Sequence, residues 1–90
     1  SNAARLWPAN LNRVRFDGAD LGGAKLRRAK ATQAIFTRAT LIRTDMTGAE
    51  LISADLSGAI CTQLMLDEAN TTDLRHAGAK DLILPEFDDL

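Results

Sequence analysis

The chain has 90 residues, 46% apolar and 26% charged, with a formal net charge of −1 and a single cysteine. This size gives one domain whose core is only just sufficient, and the balance of apolar to charged residues excludes a disordered tail. Cys61 alone excludes an internal disulfide or a zinc cluster. No apolar run is long enough to cross a bilayer as a helix, and we place the chain in the cytoplasm.

In chain order, residues 1–3 read as the remnant of tag cleavage and are set aside. From residue 4 to residue 73 a single period of five governs the sequence. Stepping by five from position 4 to 69, eleven of fourteen positions are alanine, the exceptions being Val14, Thr44 and Leu64. Two places further on, eleven of fourteen are Leu, Phe or Met, with Ala31, Cys61 and Thr71 filling the rest. A step of five turns about 140° on a helix, so the apolar residues would smear around it. On a straight strand an odd step flips every second repeat to the wrong side. A chain that turns one corner per repeat keeps every alanine and leucine on one axis. Gly18, Gly23, Gly48 and Gly58 stand two places after the central apolar residue, where such a corner accepts a positive φ. The pattern predicts a β-solenoid.

The stretches "ADLGG" (19–23), "AELIS" (49–53) and "ADLSG" (54–58) resemble the A(D/N)LxX motif of the pentapeptide repeat proteins, and the match runs over about residues 4–73. The resemblance implies an all-β fold, a right-handed quadrilateral β-helix with four pentapeptides per coil and about three and a half coils. Phe16 and Phe36, one coil apart, are then expected to stack. Stacking at twenty residues also places Lys25 beside Asp45, Lys30 beside Glu50, and Trp7 beside Arg27.

After Asp73 the phase breaks, because His76 and Asp81 would take inward central positions. Residues 74–90 are therefore read as a last partial coil and a cap. Either the chain slips by two, turning Ala77, Ala79, Leu82 and Leu84 inward, or residues 81–87 fold over the last coil. In both readings Leu82, Ile83, Leu84 and Phe87 cover the C-terminal end or meet a partner copy there, and Pro85 stops regular pairing. No comparable cap is expected at the other end, which would be covered by another domain or a second copy.

Residues for catalysis are not gathered by this pattern. His76 is the only histidine, and a metal site or an acid–base pair needs convergent partners. The glycines of "DGADLGG" (17–23) belong to the repeat; a phosphate loop would need a lysine and a following helix. We expect neither an enzyme nor a cofactor, metal or small-molecule substrate. Charge is the informative feature. Residues 1–43 carry nine bases against two acids, and residues 44–90 carry two bases against ten acids. Arg5, Trp7, Lys25, Arg27, Arg28 and Lys30 form the candidate interaction surface. With so few aromatics to stack on bases, nucleic acid is not the expected partner.

The expected function is a non-catalytic scaffold or protein-interaction module with a protein partner. The resemblance implies an alternative as well, since some pentapeptide repeat proteins mimic DNA and bind type II topoisomerases, inhibiting gyrase or protecting it from quinolones. Mimicry requires an acidic surface along a long rod, whereas this chain is short and its first half is basic.

Overall fold

A computed structural model describes residues 9–85. Over residues 9–80 each repeat has one bridge residue and one two-residue turn, and this pattern recurs every five residues. The bridges pair residues twenty apart, all in parallel: Asn10 with Lys30, Lys30 with Glu50, Arg15 with Ile35, and so on to Ile60 with Lys80. Twenty residues thus make one coil of four sides. Face one holds residues 10–13, 30–33, 50–53 and 70–73; face two holds 15–18, 35–38, 55–58 and 75–78. Face three holds 20–23, 40–43, 60–63 and 80–81; face four holds 25–28, 45–48 and 65–68.

The backbone accounts for the period. The amide of a bridge residue donates to the alanine-position carbonyl of the coil before it, as Lys30 does to Ala9 at 2.8 Å. Its own carbonyl accepts from the central residue of that earlier coil, as from Leu11 at 2.6 Å. The next alanine-position amide closes the corner, as Val14 does onto the Leu11 carbonyl at 3.1 Å. In every repeat from Arg13 to Gly78 the residue two places after the central one has positive φ. Positive φ confined to the third residue of a hydrogen-bonded corner is the signature of a type II turn.

Only five of those fourteen corner residues are glycine; the others include Arg28 (φ 60°), Arg38 (φ 56°), Arg43 (φ 57°) and Ser53 (φ 58°). Glycine therefore marks fewer than half of the corners. The remaining corners are imposed by ladders above and below, which outweigh the local preference of the residue.

Inward side chains form columns. Leu26, Phe36, Leu41, Met46, Leu51 and Leu56 are buried to within 2% of complete cover, lined by Ala24, Ala34, Ala39, Ala49, Ala54 and Ala59. Phe16 and Phe36 stack with centroids 5.3 Å apart and rings 11° from parallel, as the twenty-residue spacing predicts. Thr44 occupies an alanine position with no exposure, and its hydroxyl donates to the Leu21 carbonyl at 2.7 Å. This polar intruder, the one buried polar side chain among the described residues, is thereby satisfied.

The C-terminal end corrects one expectation. The chain does not slip by two: Arg75 and Lys80 still bridge to Asp55 and Ile60, Leu74 and Ala79 keep the alanine positions half-buried, and Ala77 is exposed. Continuing the ladder retains bonds such as Leu56 to Arg75 (2.6 Å) and Cys61 to Lys80 (2.8 Å), more than burying one further alanine would return. His76 and Asp81 occupy central positions of this last coil and are exposed. Leu82 and Leu84 pack on the core, whereas Ile83 between them is 80% exposed. Ile83 therefore does not cover the end it was expected to cover. Phe87 lies outside the described residues. At the opposite end Leu11, Phe16 and Leu21 are half-buried.

Candidate functional site

The acidic and amide residues of the repeat must first be separated into those the backbone uses and those it leaves. The amide two places after a bridge residue lacks a ladder partner in this scheme. Where the bridge residue is Asp or Asn, its side chain accepts that bond. Asn10 accepts from Asn12 (3.2 Å), Asp20 from Gly22 (3.0 Å), Asp45 from Thr47 (3.1 Å), Asp55 from Ser57 (2.9 Å) and Asn70 from Thr72 (3.1 Å). These are Asx turns, in which a short polar side chain mimics a backbone turn. At Lys30, which cannot do this, the Thr32 amide donates instead to the side-chain Oδ1 of Asn12 in the neighbouring coil at 2.9 Å. The Asp or Asn of the motif is therefore a backbone cap, and Asp20, Asp45 and Asp55 are structural acids.

The charges as a whole are not spread evenly. Faces two and three mix bases (Arg15, Arg38, Arg43, Arg75, Lys80) with acids (Asp17, Asp20, Asp55, Asp81) and gather neither sign at one end. Face four is different. Its first coil presents Lys25, Arg27 and Arg28, its second Asp45, Thr47 and Gly48, and its third Met65, Asp67 and Glu68. Lys30 continues the basic cluster around the corner onto face one, where Arg13 lies below it and Glu50 and Asp73 follow above it. The polarity expected from one half of the chain to the other is thus carried by the adjoining faces four and one, most densely by face four.

Lys25, Arg27, Arg28 and Lys30 are all exposed and converge at the start of that side. Lys25 is the bridge partner of Asp45, as the spacing predicts, yet the ion pair goes to Arg27, whose guanidinium reaches Asp45 Oδ2 at 3.3 Å. The cause is local. Asp45 Oδ1 accepts from both the Thr47 amide (3.1 Å) and the Thr47 hydroxyl (2.7 Å), which leaves Oδ2 turned towards Arg27. Burial pushes the Asp45 carboxyl up, but Thr47 and Arg27 together outweigh it and hold the group below its ordinary value. Lys30 and Glu50 are bridge partners too, without an ion pair between them within 4 Å. The other ion pair among the described residues is Arg15 with Asp17, at 3.4 Å. Arg15, with the Thr37 hydroxyl beside it, holds the Asp17 carboxyl below its usual range against a smaller push from desolvation.

Arg5 and Trp7, the other two residues expected in this surface, lie outside the described residues, and with them the contact between Trp7 and Arg27. Asp67 and Glu68 were missed as part of the same surface. Their signal was present in the sequence: they stand forty residues after Arg27 and Arg28, two coils up the same face.

The remaining reactive groups have ordinary places. Cys61 is buried at 1% exposure; burial, and then the nearby Asp81 carboxylate, push its thiol up to about 11. A protonated, covered thiol is a poor nucleophile. No group of three or more His, Cys, Asp or Glu side chains that could hold a metal occurs among the described residues. Grooves are shallow and lie on the outside. One separates Leu64–Asp67 from Ile83–Pro85, and another lies beside Arg28 and Lys30 over Ala9 and Asn10.

A four-sided parallel solenoid with a packed interior and chemistry only on its outer faces defines a repeat protein with flat lateral surfaces. The family model for pentapeptide repeats matches residues 2–33, 9–48 and 34–70 in eight copies, and the chain belongs to the pentapeptide repeat family. None of the curated proteins compared with it matches. Among solved structures, it is similar to a pentapeptide repeat protein of the cyanobacterium Cyanothece 51142, with a TM-score of 0.68 and 24% identity, covering 86% of this chain and 56% of that one. It is also similar to a pentapeptide repeat protein of Nostoc Pcc 7120, with a TM-score of 0.49 and 26% identity, covering 96% of this chain and 78% of that one. The chain thus spans a little over half of the Cyanothece protein. The fold is the right-handed quadrilateral β-helix of this family.

Proposed function

We propose that the chain is a non-catalytic protein-interaction module whose recognition surface is face four and the corner it shares with face one. The observation that carries this reading is the division of labour among side chains. Alanine, leucine and phenylalanine fill the axis, and Asp or Asn at the bridge positions caps backbone amides. Variation independent of the fold is left to the outward positions. There, Lys25, Arg28 and Lys30 make no side-chain hydrogen bond or ion pair to any described residue. Exposed charge arranged by sign steers association and selects partners more than it stabilises a fold. The topoisomerase-binding alternative draws no support from this distribution, because several of the acids it would present are engaged as caps and the first two coils are predominantly basic.

The reading is tested on the chain in its native cells. Size-exclusion of a gentle extract should show it in a complex larger than itself. Reversing Lys25, Arg28 and Lys30 to Glu should return it to its free size, while reversing Arg15, Arg38 and Arg75 to Glu should not. If the chain elutes free, or both triple variants behave alike, the reading fails. Added to a gyrase supercoiling assay, the chain should leave the rate unchanged.

A further inference from the structure

We propose that face four takes a second copy of this chain, the two rods lying side by side and antiparallel. The proposal deepens the reading of face four as the interacting surface by naming its partner, and it rests on that reading. The argument begins with the columns of the face. Residues twenty apart are stacked, so Arg28, Gly48 and Glu68 form one column and Arg27, Thr47 and Asp67 the next. Each column has a base one coil below its middle and an acid one coil above. A two-fold axis lying in the contact plane at the level of Thr47 and Gly48 turns the partner upside down. Arg28 then faces the second copy's glutamate of the same column, and Arg27 faces its aspartate. The same operation returns both contacts in the reverse sense, as an isologous interface requires.

Several other features of the face agree. Asp45 lies near the axis, where it would otherwise meet its own copy, but it is already neutralised by Arg27 within the chain at 3.3 Å. Met65 is 43% exposed on the same face, one coil above Asp45 and two coils above Lys25. In the antiparallel pair it lies opposite the aliphatic stem of Lys25, where it can cover it. Gly48 presents no side chain at the centre, and its corner is crossed only by the stem of Arg28, whose Cγ lies 3.4 Å from where a Cβ would stand.

Face two pairs Arg15 with Asp17 within one coil at 3.4 Å, and the third coil of face three (60–63) carries no charge, so neither face separates a basic end from an acidic one. One face is less than a quarter of a surface of 5719 Å², an upper bound within which a standard interface of about 800 Å² per partner fits. The contact is made chiefly of exposed charges, so the pair should depend on concentration and on salt.

The experiment is sedimentation velocity on the purified chain from low to high micromolar concentration. Dimer should form at about 0.01 M salt, where charges act over roughly 30 Å, and dissociate at about 1 M, where they act over roughly 3 Å. One variant carries Lys25→Glu, Arg27→Glu and Arg28→Glu; a second carries Asp67→Lys and Glu68→Lys. Each alone should remain monomeric at low salt, and an equimolar mixture should recover a dimer. Reversal at Arg38 on face two should change nothing. Circular dichroism and the unfolding midpoint establish that each variant is folded, and the mixing experiment holds even if one is weakened. Orientation is read by oxidative cross-linking of two single variants, Arg28→Cys and Glu68→Cys. The mixed 28-to-68 product should dominate, and a predominant 28-to-28 product overturns the antiparallel arrangement. A wild-type chain that stays monomeric at low salt overturns self-association. If such a monomer still loses its cellular complex when Lys25, Arg28 and Lys30 are reversed, the partner is a different protein and the interaction reading stands. If that complex too is unaffected, both fall.

Discussion

Gly58 shows what a corner demands of a single residue. Its φ is 69°, and a Cβ added there would stand 3.1 Å from Arg38 Cγ, on the corner one coil below. Gly58→Ala should cost about 1–2 kcal/mol, the usual penalty of a left-handed residue, read from the urea midpoint. The bridge position makes a different demand. Asp55 accepts the Ser57 amide at 2.9 Å, so Asp55→Ala should lose about 1 kcal/mol while Asp55→Asn, which keeps the acceptor, should lose little. Asp45 adds a pH dependence. Its carboxyl sits below the ordinary value of 3.8 in the folded chain, so its contribution is present above that pH. It is lost as pH falls through the lower, folded value. Unfolding midpoints measured downward from pH 5 should therefore fall more steeply for the wild type than for Asp45→Asn. At this scale the sequence was readable where a residue type has one use: alanine inside, glycine at a corner. It was not readable at Arg28, Arg38 or Ser53, which adopt the glycine conformation because neighbouring coils fix it.

Between residues and the whole rod stands the coil, and its cohesion comes from columns. Phe36 is fully buried and stacked on Phe16 at 5.3 Å, while Phe16 itself is half-buried in the first described coil. Phe36→Ala should cost about 3–5 kcal/mol, as for a large cavity in a core that cannot collapse. Phe16→Ala should cost distinctly less, because a nearest-neighbour solenoid loses one interface there instead of two. Both follow from thermal or denaturant unfolding of the single variants. The columns were legible from spacing alone, since a twenty-residue stack needs only the period and the number of sides. The last coil was not. Inward His76 and Asp81 suggested a break of phase, but backbone bonds carry the ladder on to Lys80, and the polar central residues are tolerated because they are exposed. Side-chain pattern reports what is buried, whereas the ladder depends on amides that every residue carries.

For the whole molecule, the relevant quantity is how charge is distributed over four faces. Net charge by half of the sequence already indicated an axial polarity. Only the folding of that sequence into faces shows that faces two and three mix the signs, that faces one and four keep them apart, and that face four has the densest cluster of each. Asp67 and Glu68 join Arg27 and Arg28 in one surface through a forty-residue spacing that has no meaning until the side length is known. Exposed pairs of this kind add only about 0.2–1 kcal/mol each, so face four contributes little to stability, and recognition is the role we propose for its order of signs.

The most direct measurement of that claim places a photo-reactive side chain at one outward position per face: Ile52 on face one, Ser57 on face two, Thr62 on face three and Thr47 on face four. All four lie at nearly the same height. Irradiated in cells, the probe at position 47 should give a discrete, saturable protein adduct, with a weaker one from position 52 across the shared corner. Positions 57 and 62 should give none. Equal adducts from all four faces, or an adduct from face two or three alone, would contradict the account.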